Sequence, residues 1–174
     1  MEIEIRAKVL KPVQLLKQLK NDSSTLLSGE KKEKDIYFKH RSDKERKLVI
    51  RIRRTKSGDI LTFKAKSKGE DTAWPDVDMP LSDAKTLESI LRDSDYEEVV
   101  TITKERTTFR HDDLEINVDH IKELGWFIEV EVRGKASERK KKEKQLSDFL
   151  VGIGIGKDNI IRQGYVPLAL AAKK

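Results

Sequence analysis

The sequence predicts an α+β fold: an eight-stranded antiparallel β-barrel with helices packed outside. Three observations lead there. Many short segments alternate charged and apolar residues with period two, the pattern of strands with one apolar face. A few intervening segments space their apolar residues as helices do. Several of the strands also carry charged pairs of a single sign on one face, an arrangement that a solvated surface disfavours.

Residues 2–9 (EIEIRAKV) open the chain as a strand. Pro12 follows, and Val13, Leu15, Leu16 and Leu19 fall near helical spacing over residues 13–20. Residues 33–40 (EKDIYFKH), 47–55 (KLVIRIRRT) and 60–66 (ILTFKAK) read as three more strands, with the turn signal KSGD at 56–59 between the last two. Residues 67–73 are polar and read as a loop. Residues 74–79 (WPDVDM) begin a strand that Pro75 restricts to an edge or a start. Ser82 is expected to cap a helix running to Arg92. Strands are expected at 97–110, 113–121 and 126–133, then a helix from Ser137 to Gly152 with Leu146, Phe149 and Leu150 on one face. The end, IIRQGYVPLAL, is short and mixed. The order β-α-β-β-β thus recurs as a weak internal repeat, and eight antiparallel strands suffice to close a barrel.

The 174 residues fit one domain, 1–174. Without cysteine there are neither disulfides nor thiolate metal sites. No apolar run approaches the ~20 residues that span a bilayer, and residues 1–10 show no apolar signal core, so a cytoplasmic protein without membrane partners is expected. Charged residues make up 39% of the chain against 36% hydrophobic, which alone would suit partial disorder. The regular alternation argues against that. A net charge of +6 favours anionic partners. A homodimer is compatible with the sequence.

In a strand, residues i and i+2 point to the same side. Glu2, Glu4, Arg6 and Lys8 therefore share a face opposite Ile3, Ile5, Ala7 and Val9. The same parity pairs Arg51 with Arg53, Lys64 with Lys66, Lys104 with Arg106, and Glu129 with Glu131; Glu115, Asn117 and Asp119 form another polar row. Half-exposed sheets explain any one of these strands. The same-sign pairs as a set are better explained by charged faces turned inward around a polyanion and its metal. Lys and Arg then contact phosphate oxygens, and carboxylates hold Mg²⁺ or Mn²⁺.

These residues resemble the CYTH superfamily, also called triphosphate tunnel metalloenzymes. Glu2-Ile3-Glu4-Ile5-Arg6 resembles its E-x-E-x-K signature, Asp35-Ile36-Tyr37-Phe38 its D-x-Y-F, Leu48 to Arg54 its L-R-I-R-R strand, and Thr62-Phe63-Lys64 its T-x-K. Lys104-Glu105-Arg106 resembles K-x-R. Asp119, Leu124-Gly125 and Phe127 to Glu131 resemble D…L-G-x-F-x-E-x-E, and Ile161-Arg162 with Tyr165 the closing I-R-x-x-Y. The pattern is most like class IV adenylyl cyclase-like members; thiamine and inorganic triphosphatases share the fold and most ligands.

The resemblance implies an eight-stranded triphosphate tunnel. It implies a metal wall of Glu2, Glu4, Asp119, Glu129 and Glu131, and a phosphate grip of Arg51, Arg53, Lys64, Lys104 and Arg106, with Lys8 and Arg162 adding to it. Arg6 and Lys64 take the catalytic positions, and Arg6 also faces phosphate. Lys66, Asp76 and Asp78 align by parity and rank lower. Arg6 stands where the signature has lysine; it binds phosphate but stays protonated and cannot act as a general base. Gln163 and Gly164 replace what are often Arg and Ser.

The expected substrate is a nucleoside or inorganic triphosphate. In the cyclase reading, ATP gives cyclic AMP and pyrophosphate; in the hydrolase reading, water attacks the terminal phosphorus of inorganic triphosphate, thiamine triphosphate or a nucleoside triphosphate. A non-catalytic polyphosphate- or nucleotide-binding module is a further reading. Nucleic acid is disfavoured, because an RNA-binding sheet would not need the paired acids. His40, His111 and His120 have no zinc spacing. Gly152, Gly154 and Gly156 fail a Walker motif, since Val151 and Asp158 occupy required positions, and are expected to end the last helix. The run Arg139 to Lys144 is expected on a solvated helix face. Trp126 is expected to pack, and one of Tyr37 and Phe38 to enter the core. Trp74 is a weaker candidate for base stacking.

Overall fold

The structure is a computed structural model that describes residues 1–65 and 76–173, without the side chain of Asp76. Its elements are β1 (Glu2–Lys8), α1 (Pro12–Asn21), β2 (Thr25–His40), β3 (Leu48–Thr55), β4 (Gly58–Ala65), β5 (Asp76–Leu81), α2 (Ala84–Asp93), β6 (Tyr96–His111), β7 (Leu114–Ile121), β8 (Gly125–Arg133), α3 (Arg139–Gly152), β9 (Ile160–Ile161) and α4 (Tyr165–Ala172). The expected α+β class holds. Each of the eight expected strands is present, with the bounds of β2 differing most, and the ninth is the two-residue β9. The expected loop at 67–73, with Lys66, Trp74 and Pro75, lies outside the described residues.

The chain divides into two compact units: Met1–Lys31 with Lys104–Lys174, and Lys32–Thr103. They do not follow the two halves of the sequence repeat. In the first unit the strands run β6-β7-β8-β1-β9, and in the second β5-β4-β3-β2. Every pair in these runs is antiparallel.

Alternation builds the first unit directly. Ile3, Ala7 and Val9 join Ile116, Val118, Ile128 and Val130 on one face. Leu15 and Leu19 of α1, and Leu146 and Leu150 of α3, close over that face. Pro12 starts α1, where its missing N–H is no loss. Phe109 at this core's centre is fully buried, a burial that stabilises by roughly 1.5–3 kcal/mol.

The second unit repeats the plan. Ile36, Phe38, Ile50 and Ile52 form its apolar face, and Ala84 and Leu91 of α2 pack on it. Asp83, not the expected Ser82, caps α2: its carboxylate accepts from the backbone N–H of Thr86 at 3.0 Å and from the Thr86 hydroxyl at 2.6 Å. Both types cap helices, but only Asp83 stands immediately before the first helical residue. The β3–β4 turn is the KSGD signal, with Gly58 at φ +136, a conformation that side chains other than glycine rarely adopt.

Two elements differ from expectation. β2 begins at Thr25, eight residues before the expected start at 33, over TLLSGEKK, which does not alternate. The mixed C-terminal segment contains α4, apolar on nearly all sides. No described helix is long and apolar enough to cross a membrane.

Candidate functional site

Each unit has a polar face opposite its apolar one. In the first unit, register sets what meets what across the strands. Glu4 of β1 lies opposite Glu131 of β8, and Glu131 lies opposite Glu115 of β7. Arg6 lies opposite Glu129, and Arg106 of β6 opposite Asp119. An acidic row and an ion-pair network result.

The network is buried. Arg6 donates from Nε to Glu129 Oε1 at 2.7 Å, from Nη1 to the Gln163 carbonyl at 2.8 Å, and from Nη2 to Glu4 at 3.2 Å and to Glu129. Arg106 grips Asp119 through Nε and Nη2, both at 2.6 Å, and its Nη2 also donates to Glu129. The Tyr165 hydroxyl donates to Asp119 Oδ2 at 2.8 Å, and its ring lies 4.3 Å from the Arg6 guanidinium carbon. Lys104 Nζ is 3.8 Å from the same Asp119 oxygen. Burial pushes the Glu129 carboxyl up, but Arg6, then Arg106 and Lys104, outweigh it and hold the carboxyl far below the usual carboxylate range. Burial likewise opposes the charge on Arg6, and Glu129 and then Glu4 more than restore it.

The acidic row behaves in the opposite sense. Burial first, then the charges of Glu115, Glu2, Glu129 and Glu4, push the Glu131 carboxyl up to about 7. Like charges directly across a strand pair destabilise it unless a cation intervenes. A cavity of about 570 Å³ opens beside the row, lined by Glu2, Arg110, Glu115, Glu131 and Arg133 among others. The crowded carboxylate oxygens match what Mg²⁺ or Mn²⁺ prefers. Among the described residues, no three His, Asp or Glu side chains already converge as a metal cage.

In the second unit the polar face carries cations, of which Arg51 and Arg53 are each held by a neighbouring strand. Arg53 donates to Asp35 of β2 through Nε and Nη2 at 2.7 and 2.8 Å, with Glu33 at 3.4 Å. Arg51 donates through Nε and Nη2 to the Thr62 hydroxyl of β4 at 3.2 and 2.7 Å, and Nη2 lies 3.4 Å from Asp78 of β5. Thr62 donates its own proton to Asp78. Lys64 is half-buried on the same face. Tyr37 also lies on it, in contact with Asp35 at 3.5 Å, while Phe38 enters the core.

The expected site residues therefore fall into three groups. Arg6, Lys104, Arg106, Asp119 and Glu129 come together as one buried network in the first unit. Glu2, Glu4 and Glu131 gather with Glu115, which sequence reasoning placed in a polar row but gave no role. Arg51, Arg53 and Lys64 share a face of the second unit. Lys8 and Arg162 are exposed and enter none of these networks. Sequence reasoning also gave no role to Tyr165, Thr62, Asp35 or Glu33. Parity with Lys64 marks Thr62, and parity with Tyr37 marks Asp35 and Glu33. Tyr165 is marked only by the closing I-R-x-x-Y resemblance, and not by the pattern of α4.

Residues set aside on sequence grounds occupy ordinary places. Along α3 Arg139 pairs with Glu143 and Lys144 with Asp148, and Lys142 pairs with Asp113 between β6 and β7. Trp126 stacks on His120 at 4.5 Å, and α3 ends at Gly152.

Comparison with known proteins agrees with this geometry. A CYTH domain matches residues 1–165. A protein of Methanocaldococcus jannaschii named "Putative adenylate cyclase" is 28% identical over 171 residues, covering 96% of this chain and 97% of that protein. A solved structure from Vibrio parahaemolyticus, titled as a putative adenylate cyclase, superposes with a TM-score of 0.81 at 16% identity, covering 97% of both chains. One from Hippeastrum, titled as a putative adenylyl cyclase that reveals a dominant triphosphatase activity, gives 0.65 at 17% identity, covering 94% of this chain and 91% of its own. At such identities the two structures establish the fold alone.

Proposed function

The chain belongs to the CYTH family, and from that premise we propose that it is an enzyme that binds a triphosphate together with Mg²⁺ or Mn²⁺ and cleaves a phosphoanhydride. The observation that carries the reading is the sorting of charge: Arg51, Arg53 and Lys64 on one polar face, and Glu4, Glu115 and Glu131 in register on the other. A triphosphate carries several negative charges, and its transfer chemistry needs positioning and charge neutralisation more than covalent help from the protein.

The residues divide the work. Arg51, Arg53 and Lys64 grip phosphate oxygens, and Lys104 and Arg106 neutralise charge that develops on the leaving phosphate. Glu2, Glu4, Glu115 and Glu131 hold the divalent ion, with Glu129 and Asp119 available once the arginines turn to substrate. When bound, the ion supplies a Lewis acid for the phosphoryl oxygens and lowers the pKa of the attacking hydroxyl or water. Arg6 stays protonated and serves as a fixed charge, not a base.

We assign ATP as substrate, with the ribose 3′-oxygen attacking the α-phosphorus and pyrophosphate leaving to give cyclic AMP. The same residues serve a triphosphatase in which water attacks the terminal phosphorus, because they read the triphosphate and not its organic group. A substrate panel tests this: purified protein with Mg²⁺ or Mn²⁺ and ATP, thiamine triphosphate or inorganic triphosphate, assayed for cyclic AMP, pyrophosphate and phosphate. Cyclic AMP supports the cyclase. Phosphate from inorganic triphosphate alone replaces it with the hydrolase. Tight metal-dependent binding without turnover refutes the enzyme.

A further inference from the structure

Two of the arginines of β3 are held in the same way by different partners. Arg51 and Arg53 stand two residues apart on one face of β3. Each commits its Nε–Nη2 edge sideways to an adjacent strand, Arg53 to the buried carboxylate of Asp35 on β2 and Arg51 to the buried hydroxyl of Thr62 on β4. The anchored edge is the same in both, so in both the end of the guanidinium that carries Nη1 is turned away from its anchor. Thr62 has no exposed surface, and its proton goes to Asp78. A hydroxyl has one proton to give. With that proton on Asp78, the Thr62 oxygen must present lone pairs to Arg51. Asp78 therefore fixes the direction of the Thr62–Arg51 bonds, although its own contact with Arg51 is long at 3.4 Å.

We propose that Thr62, oriented by Asp78, and Asp35 are positioning residues that aim the Arg51 and Arg53 guanidinium groups at the phosphates of the substrate. This rests on reading Arg51 and Arg53 as the phosphate grip. Arginine side chains lose considerable rotamer freedom when they fix a ligand, and a side chain already pinned along one edge loses less on binding. The Nη1 end of each planar guanidinium then meets phosphate oxygens in a bidentate geometry. Asp35 and Thr62 touch no substrate themselves; they act through the arginines.

The test is equilibrium binding of inorganic triphosphate with Mg²⁺ to the full chain, by calorimetry, with melting temperature measured in parallel. Thr62→Val removes the hydroxyl while nearly keeping the shape; Thr62→Ser keeps the hydroxyl. The expected result is affinity weakened about 10-fold in Thr62→Val and close to wild type in Thr62→Ser. Asp35→Asn, which puts an N–H against the guanidinium, weakens binding similarly. In an Arg51→Ala background Thr62→Val should add less than about 2-fold, because its effect runs through that arginine. Asp78→Asn, at a half-exposed edge-strand side chain, gives the same reading if Thr62→Val folds poorly. Full additivity of Thr62→Val with Arg51→Ala, or wild-type affinity in Thr62→Val alongside weakened Arg51→Ala, overturns the proposal. Wild-type affinity in both Arg51→Ala and Arg53→Ala overturns the phosphate grip itself, and the proposal with it.

Discussion

Glu129→Gln in the metal-free protein removes one negative charge from a site with side-chain exposure of 7%, where it faces two buried guanidinium groups. Asp119 remains to balance Arg106, which it holds through two bonds. Arg6 has no such reserve. Its remaining carboxylate is Glu4, which is half-exposed and 3.2 Å away, with the Gln163 carbonyl a neutral acceptor. The glutamine also turns an N–H toward at least one guanidinium. Removing one partner of a buried ion pair costs about 3–5 kcal/mol, and the partial cover from Glu4 lowers that to about 2–4 kcal/mol. For a chain of this length, 3 kcal/mol corresponds to a fall in Tm of roughly 6–12 °C. The assay is urea and thermal unfolding followed by circular dichroism, with chelator present so that no metal contributes. Arg6→Met in the same background should recover part of the loss, because the stranded cation is gone. A Glu129→Gln protein within about 0.5 kcal/mol of wild type would mean that the charge on Glu129 does not hold this network together, and the argument would fail.

Asp83→Ala should destabilise by about 1 kcal/mol through loss of the α2 cap, while Ser82→Ala changes little; equal effects from both would contradict the capping assignment. Phe38→Ala, at a fully buried position under α2, should cost about 3–5 kcal/mol in urea unfolding. The Glu131 carboxyl, pushed up to about 7 by burial and its acidic neighbours, holds its proton more tightly folded than unfolded. Its contribution to stability is thus complete below the ordinary carboxylate pKa near 4.5 and is lost as pH rises through about 7. Mn²⁺ should reverse the trend and release a proton on binding near pH 6.5, read as a dependence of calorimetric heat on buffer ionisation enthalpy; heats independent of buffer would refute it.

Much of this fold could be read from residue order, and the exceptions have physical causes. β1, β3, β7 and β8 alternate cleanly because each has one face under helices and one bearing charge. The first eight residues of β2, TLLSGEKK, are largely exposed and have no apolar face to announce them. α4 is apolar nearly all round, so no helical stripe marks it, and Pro167 in its first turn masks the favourable propensity of the Leu and Ala residues that follow. Parity showed that Arg6, Glu129 and Arg106 face the polar side of their strands. It could not show which partner each would take, because that depends on the register between strands, and the strands of Arg6 and Glu129 lie more than a hundred residues apart. Tyr165 was legible only as the last residue of the closing motif, which names no partner for its hydroxyl.

That separation bears on how the chain comes to be folded. Strand β1 precedes both its neighbours, β8 and β9, by more than a hundred residues, and the Arg6 guanidinium is completed by a carbonyl 157 residues away. The unit spanning Lys32–Thr103 is continuous in sequence and can assemble as soon as it emerges. The other unit must wait until β8 and β9 have emerged, with an unpaired strand carrying Ile3, Ile5 and Ala7. Contacts at such separation slow folding, and open strand edges invite association with other chains. The alternate charges of EIEIRAK, which later face the polar side of the sheet, keep that strand in water while it waits.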